Sequence, residues 1–167
     1  LQLPPGETVL DVGCGSGLVT LESARRVESS GHVTGCDISP AMVKWAERKA
    51  RGEGITNTTF YTMDAEQLEF PDDYFDYLVC AFSLFQFEDM QKALLEMRRV
   101  LKPGGKMGLS NWGPGYFSPI AALQRDLFRG FGLKPLLRNP ITFKQDDLRN
   151  LLDQTGFLDV ELLSERE

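Results

Sequence analysis

Four short clusters in this chain combine residue types and spacings that could hold a nucleotide-like ligand. The first is Val9-Leu10-Asp11-Val12-Gly13-Cys14-Gly15-Ser16-Gly17. Glycines placed straight after an apolar run allow a tight turn and close backbone approach to a ligand. The helix that follows offers unpaired N–H groups and the positive end of its dipole. The spacing is G-x-G-x-G, not the G-x-G-x-x-G of dinucleotide binders. Asp11 stands two residues ahead of the first glycine, where a carboxylate repels a pyrophosphate and attracts a cation such as an ammonium. That favours a ligand with an amino-acid part over a nicotinamide dinucleotide. By itself the pattern would serve equally as a plain turn that uses glycine for conformational freedom.

The second cluster is Gly35-Cys36-Asp37-Ile38-Ser39-Pro40. An acid at the end of a second strand can accept from both hydroxyls of a ribose, and Ile38 can lie against an adenine face. The competing role for Asp37 is to help cap the next helix, but Ser39 already supplies a cap. In the third cluster, Met63-Asp64-Ala65-Glu66, Asp64 can accept from an adenine amino group while the Ala65 backbone N–H donates to a ring nitrogen. An Asx turn is the plainer use of Asp64. The fourth runs from Phe75 through Ala81 to Phe87. The Ala81 carbonyl and the loop after it should face the reacting end of the ligand.

These clusters need a scaffold that brings them to one edge. Short β-branched runs alternate with helical stretches, which predicts an α/β fold with a doubly wound, mostly parallel sheet. Strands are expected at 8–12, 32–36, 58–61, 75–80, 106–110 and 160–163. Helices are expected after Gly17, from Pro40 to about Ala50, from about Met90 to Leu101, and from about Gln145 to Thr155. Pro103-Gly104-Gly105 is expected to end the third helix. In such a sheet, ligands bind beyond the carboxyl ends of the strands, where the strand order reverses.

Composition narrows the function classes. The 167 residues carry a formal charge of −6, which argues against generic nucleic-acid binding and against docking on anionic lipid. No apolar run reaches the length of a transmembrane span. Three cysteines are too few, and odd in number, for a disulfide framework, so a cytoplasmic location is expected.

Together the clusters resemble the class I S-adenosylmethionine-dependent methyltransferases, most closely the ubiquinone/menaquinone-biosynthesis type. The matching stretches are the Asp11-to-Gly17 loop, Asp37-Ile38-Ser39-Pro40, Asp64-Ala65, Phe70-Pro71 with Phe75-Asp76, and Arg99-Val100-Leu101-Lys102-Pro103-Gly104-Gly105. The resemblance implies S-adenosyl-L-methionine as cofactor, S-adenosyl-L-homocysteine as product, and a small-molecule methyl acceptor. It implies that Gly13, Cys14, Gly15 and Gly17 hold the methionine part, with Asp11 oriented toward its ammonium. Asp37 would take the ribose, Ile38 the adenine face, Asp64 and Ala65 the adenine edge, and Ala81 the methionine end, with Met42 also among the cofactor-binding residues. Many relatives carry a His-rich segment after strand four; here it reads Leu84-Phe85-Gln86-Phe87, so no general base can be assigned there. Tyr116 is the nearest substitute.

His32, the single histidine, begins strand two at the edge away from the ligand and reads as structural. Cys14, Cys36 and Cys80 lack metal-site spacing and read as packing residues. Asp72, Asp73 and Asp76 read as a solvated turn rather than a magnesium site. Trp112, Tyr116 and Phe117 are expected to wall the acceptor site, within a substrate-side insertion over 112–143. The competing functions are a nicotinamide-dependent oxidoreductase and a non-catalytic cofactor-binding module. Residues 1–167 are expected to form one domain, trimmed at both ends and lacking the family's final antiparallel strand.

Overall fold

The computed structural model describes residues 1–114, 123, 126–132 and 142–164. Its centre is β1 (Thr8–Val12), whose last four residues are all buried. That unbroken burial is what a strand covered by helices on both faces requires. The remaining strands are β2 (His32–Asp37), β3 (Thr58–Thr62), β4 (Phe75–Ala81) and β5 (Leu101–Ser110). They form one sheet in the order β3-β2-β1-β4-β5, and every pairing is parallel. The order reverses between β1 and β4, as expected for a doubly wound sheet.

Helices α1 (Leu18–Val27), α2 (Pro40–Gly52) and α3 (Met90–Val100) follow β1, β2 and β4, and α4 (Gln145–Gln154) comes later. Local chemistry sets their ends. The Ser39 hydroxyl accepts from the Met42 N–H at 3.4 Å, with Pro40 in the first turn of α2, and the Asp89 carboxylate accepts from Lys92 at the start of α3. On one face of the sheet, Val9 and Val33 pack with Ala24 and Val27 of α1. On the other, Leu10, Leu78 and Cys80 pack with Leu94 and Met97 of α3 and Leu152 of α4.

Two expectations fail. Pro103-Gly104-Gly105 does not end α3, which stops at Val100; β5 begins at once with Leu101. The ladder runs Phe75↔Leu101 and then Tyr77↔Lys106, so Lys102–Gly105 is an irregularity inside the strand. Pro103 has no N–H to give the ladder and Gly104 takes φ +77°, both natural at a bulge. The strand expected at 160–163 does not form. Among the described residues its alternating pattern finds no neighbouring strand, and Leu158 and Leu163 are each 83% exposed.

Candidate cofactor and acceptor site

The parallel register lines up the carboxyl ends of the strands. Val12 pairs with Cys36, Asp37 with Thr62, and Ala81 with Ser110. All four sequence clusters therefore reach the same edge. At its centre the N–H groups of Gly13 and Cys14 both donate to the Cys36 carbonyl at 2.9 Å. Gly13, Gly15 and Gly17 all have positive φ, a region that L-side chains resist. A Cβ on Gly13 would stand 2.6 Å from Ser83, and one on Gly17 would stand 2.9 Å from Ala46. Above Gly15, by contrast, a Cβ would meet nothing within 4 Å. The loop is thus packed from below at two glycines and open at the third.

Asp37 is tied to this loop. Its Oδ2 accepts from the Gly15 N–H at 2.9 Å, and its Oδ1 accepts from the Ser39 N–H at 2.9 Å. The capping use and the loop contact therefore coexist, and each oxygen keeps a lone pair for a further donor. Ile38 is 71% exposed and Met42 46% exposed on the same side, an apolar surface at the edge where the ligand is expected. Asp64 spends one oxygen on an Asx turn, accepting from the Glu66 N–H at 2.9 Å, while Ala65 is buried beside it. Ala81 is half-buried at the end of β4.

Asp11 lies beneath the loop, almost wholly buried, and its Oδ2 accepts from the Thr20 hydroxyl at 2.6 Å. Burial pushes its carboxyl up to about 6, although the hydrogen bonds from Thr20 pull the other way. Its negative charge is thus held in a low-dielectric position, and among the described residues no cation pairs with it. The three cysteines are free and buried, and burial pushes all their thiols up, Cys36 and Cys80 to about 12. They stay protonated and pack as small apolar groups.

Sequence reasoning missed two side chains that shape the site. Thr20 is the partner of Asp11; its place in the first turn of α1 was the available signal. Buried Ser83 donates to the Val12 carbonyl at 3.1 Å and lies 3.1 Å from Cys80 Sγ. It clamps the loop after β4 to the end of β1, against Gly13. Next to it, Phe82 has φ +53° and its ring stacks on Trp112 at 4.4 Å. Trp112 in turn bridges to Thr142, and its carbonyl accepts from the Phe143 N–H at 3.1 Å. Tyr116 and Phe117, and most of the segment expected as a substrate-side insertion, lie outside the described residues.

The discarded residues sit elsewhere. His32 Nε2 lies 2.9 Å from the Thr59 hydroxyl at the opposite end of β2. Asp76 accepts from the Thr8 N–H and hydroxyl and from Lys102 Nζ, while Asp72 pairs with Arg99. Among the described residues no helix is long and apolar enough to cross a membrane.

Known proteins share this fold. A family model described as a methyltransferase domain matches residues 9–105. The ubiquinone/menaquinone biosynthesis C-methyltransferase UbiE of Vibrio vulnificus is 37% identical over 150 residues, covering 89% of this chain. The chain spans 57% of that relative's length. A crystal structure of a SAM-dependent methyltransferase from Methanosarcina mazei superposes with a TM-score of 0.74 at 26% identity, covering 93% of this chain and 80% of the other. The fold is also shared by a SAM-dependent methyltransferase from Aquifex aeolicus, with a TM-score of 0.73 at 23% identity over 92% of this chain and 73% of the other.

Proposed function

The chain belongs to the methyltransferase-domain family, and on that premise we propose that it binds S-adenosylmethionine at the carboxyl edge of its sheet and directs methyl transfer to a small-molecule acceptor. The residues present fit the cofactor: open space above Gly15 beside a carboxylate, with exposed Ile38 and Met42 alongside. When bound, the cofactor supplies a methyl group already activated on a sulfonium. The work of the chain is placement. The Gly13–Gly17 loop, with Cys14, binds the amino-acid end through backbone groups, and the Asp11 charge beneath it favours an ammonium there. Asp37 accepts from the ribose hydroxyls. Ile38 and Met42 cover the adenine face, while Asp64 and the Ala65 backbone meet its edge. Ala81 borders the reacting end, where the nucleophile of the acceptor must be held in line, about 3–3.5 Å from the methyl.

The observation that carries this reading is the Gly15–Asp37 hydrogen bond, because it sets the loop motif and the ribose motif side by side. The similarity to quinone-pathway C-methyltransferases supports an aromatic, hydroxyl-bearing acceptor. The free, buried cysteines are consistent with a reducing compartment such as the cytoplasm. Calorimetric titration with S-adenosylhomocysteine tests the reading, and micromolar binding is expected. Asp37→Ala should weaken it about 100-fold, the loss of charge-assisted hydrogen bonds to two hydroxyls. Binding of NADH with no response to S-adenosylhomocysteine would overturn it.

A further inference from the structure

Among the described residues, the only buried side-chain polar atoms without a hydrogen-bond partner are Oδ1 and Nδ2 of Asn111. Leaving a buried polar group unpaired is destabilising, so such a group in a folded chain calls for an explanation. Its position supplies one. Asn111 directly follows β5, and both its chain neighbours hold the loop after β4. The Ser110 carbonyl accepts from the Phe82 N–H at 3.0 Å, and the Trp112 ring stacks on Phe82. Phe82 carries a second anomaly, since φ +53° is sparsely populated by aromatic residues. Ala81, at the reacting end of the cofactor site, pairs with Ser110 one residue away. Unsatisfied polarity and backbone strain thus meet one residue beyond the Ala81–Ser110 pair that ends the β4–β5 ladder, and features of this kind persist where function needs them.

We propose that the Asn111 carboxamide is the polar anchor of the methyl acceptor, exchanging hydrogen bonds with a ring hydroxyl. The inference rests on the methyl-transfer reading above. The chemistry of the amide selects the group. It offers N–H donors and a carbonyl acceptor. A hydroxyl gives one proton and accepts another, so it satisfies both ends. A carboxylate would leave the carbonyl facing negative charge, and an ammonium would leave the N–H groups unpaired. The adjacent Phe82–Trp112 pair suits a flat aromatic body next to that hydroxyl. The amide therefore waits, unpaired, for a partner that arrives with the acceptor.

This gives Asn111 a signature that a structural residue lacks: removing it helps the free protein and harms acceptor binding. Asn111→Leu keeps the branching and the number of heavy atoms and deletes the orphaned dipoles. It should raise Tm by about 2–4 °C, the shift expected from relieving one unpaired polar group in a domain of this size. The acceptor probe is 1,4-dihydroxynaphthalene, titrated into protein saturated with S-adenosylhomocysteine. Its affinity should fall about 10-fold, the worth of one good hydrogen bond, while S-adenosylhomocysteine affinity stays unchanged. Asn111→Ser, smaller and still polar, should weaken the diol similarly if leucine proves too bulky to fold. A Tm lowered by several degrees in both variants would mean the amide holds the fold, and would overturn the proposal. So would unchanged diol affinity, or a wild-type protein that binds S-adenosylhomocysteine but ignores the diol. Failure to bind S-adenosylhomocysteine is a separate result, which removes the methyl-transfer reading and this inference with it.

Discussion

The two edges of this sheet treat polar groups in opposite ways. At the amino edge, charges are paired. Asp76 takes three hydrogen bonds from Thr8 and Lys102. Burial pushes its carboxyl up, but the hydrogen bonds from Lys102 and Thr8 outweigh that and hold it at about 2. Nearby, Arg99 bonds to Glu96, Asp72 and the carbonyls of Leu68 and Phe70. At the carboxyl edge, among the described residues, Asp11 is buried without a cation and the Asn111 amide is unpaired, and Phe82 is bent into the left-handed region. One edge is built to be satisfied by the chain itself. The other is left incomplete, in a way that a cationic, hydroxylated ligand and acceptor would complete. Stability and the proposed function thus fall at opposite ends of the same strands.

The contrast can be broken by substitution. The largest effect is expected at Gly13. Gly13→Ala must strain a φ of +70° and drive a methyl into Ser83. It should cost about 3 kcal/mol or more in a denaturant titration and abolish S-adenosylhomocysteine binding. Wild-type stability in this variant would show that the clamp at Ser83 is loose.

Asp11→Asn is expected to do the reverse to stability. A carboxyl raised from 3.8 to about 6 binds a proton in the folded state more readily than in the unfolded chain. Its destabilising contribution grows as pH rises from about 4 to 6 and is fully present above that, about 3 kcal/mol at most. The neutral isostere should therefore raise Tm at pH 7 and change it little at pH 4, while weakening S-adenosylhomocysteine binding. A variant less stable than wild type at pH 7 would contradict the reading of Asp11 as an unpaired buried charge.

The smallest effect is expected at the paired edge. Asp76 has a lowered pKa, so its contribution is present above about pH 4 and lost as pH falls toward 2. Lys102 is 41% exposed, so solvent screening limits the pair. Asp76→Asn should cost about 1 kcal/mol at pH 7 and leave S-adenosylhomocysteine affinity untouched. A loss of affinity would mean that the two edges are coupled.

Much of this was legible in the sequence, for local reasons. Glycine, proline and capping serine write their conformations directly into the chain, so β1, the glycine loop, β2 and α2 could be placed nearly to the residue. Asp11, Asp37, Asp64 and Ala81 could be assigned to one edge, because strand ends in a parallel sheet share a direction. What stayed hidden depends on partners distant in sequence. Pro103-Gly104-Gly105 looked like a helix stop, yet pairing of Leu101 with Phe75 pulls it into β5 as a bulge. Val160–Leu163 had a strand pattern but no ladder to join. The clamp by Ser83 and the orphaned amide of Asn111 depend on which loops pack against them, and no spacing rule encodes that.

The bridge between Trp112 and Thr142 carries a consequence for variation. A parallel bridge joins Trp112 to Thr142, so the two ends of the intervening stretch are held together whatever its length. Lengthening such an excursion costs little, about 0.6 kcal/mol for each doubling of its length. A segment of different length could then be grafted between these two positions with no strand of the sheet redesigned.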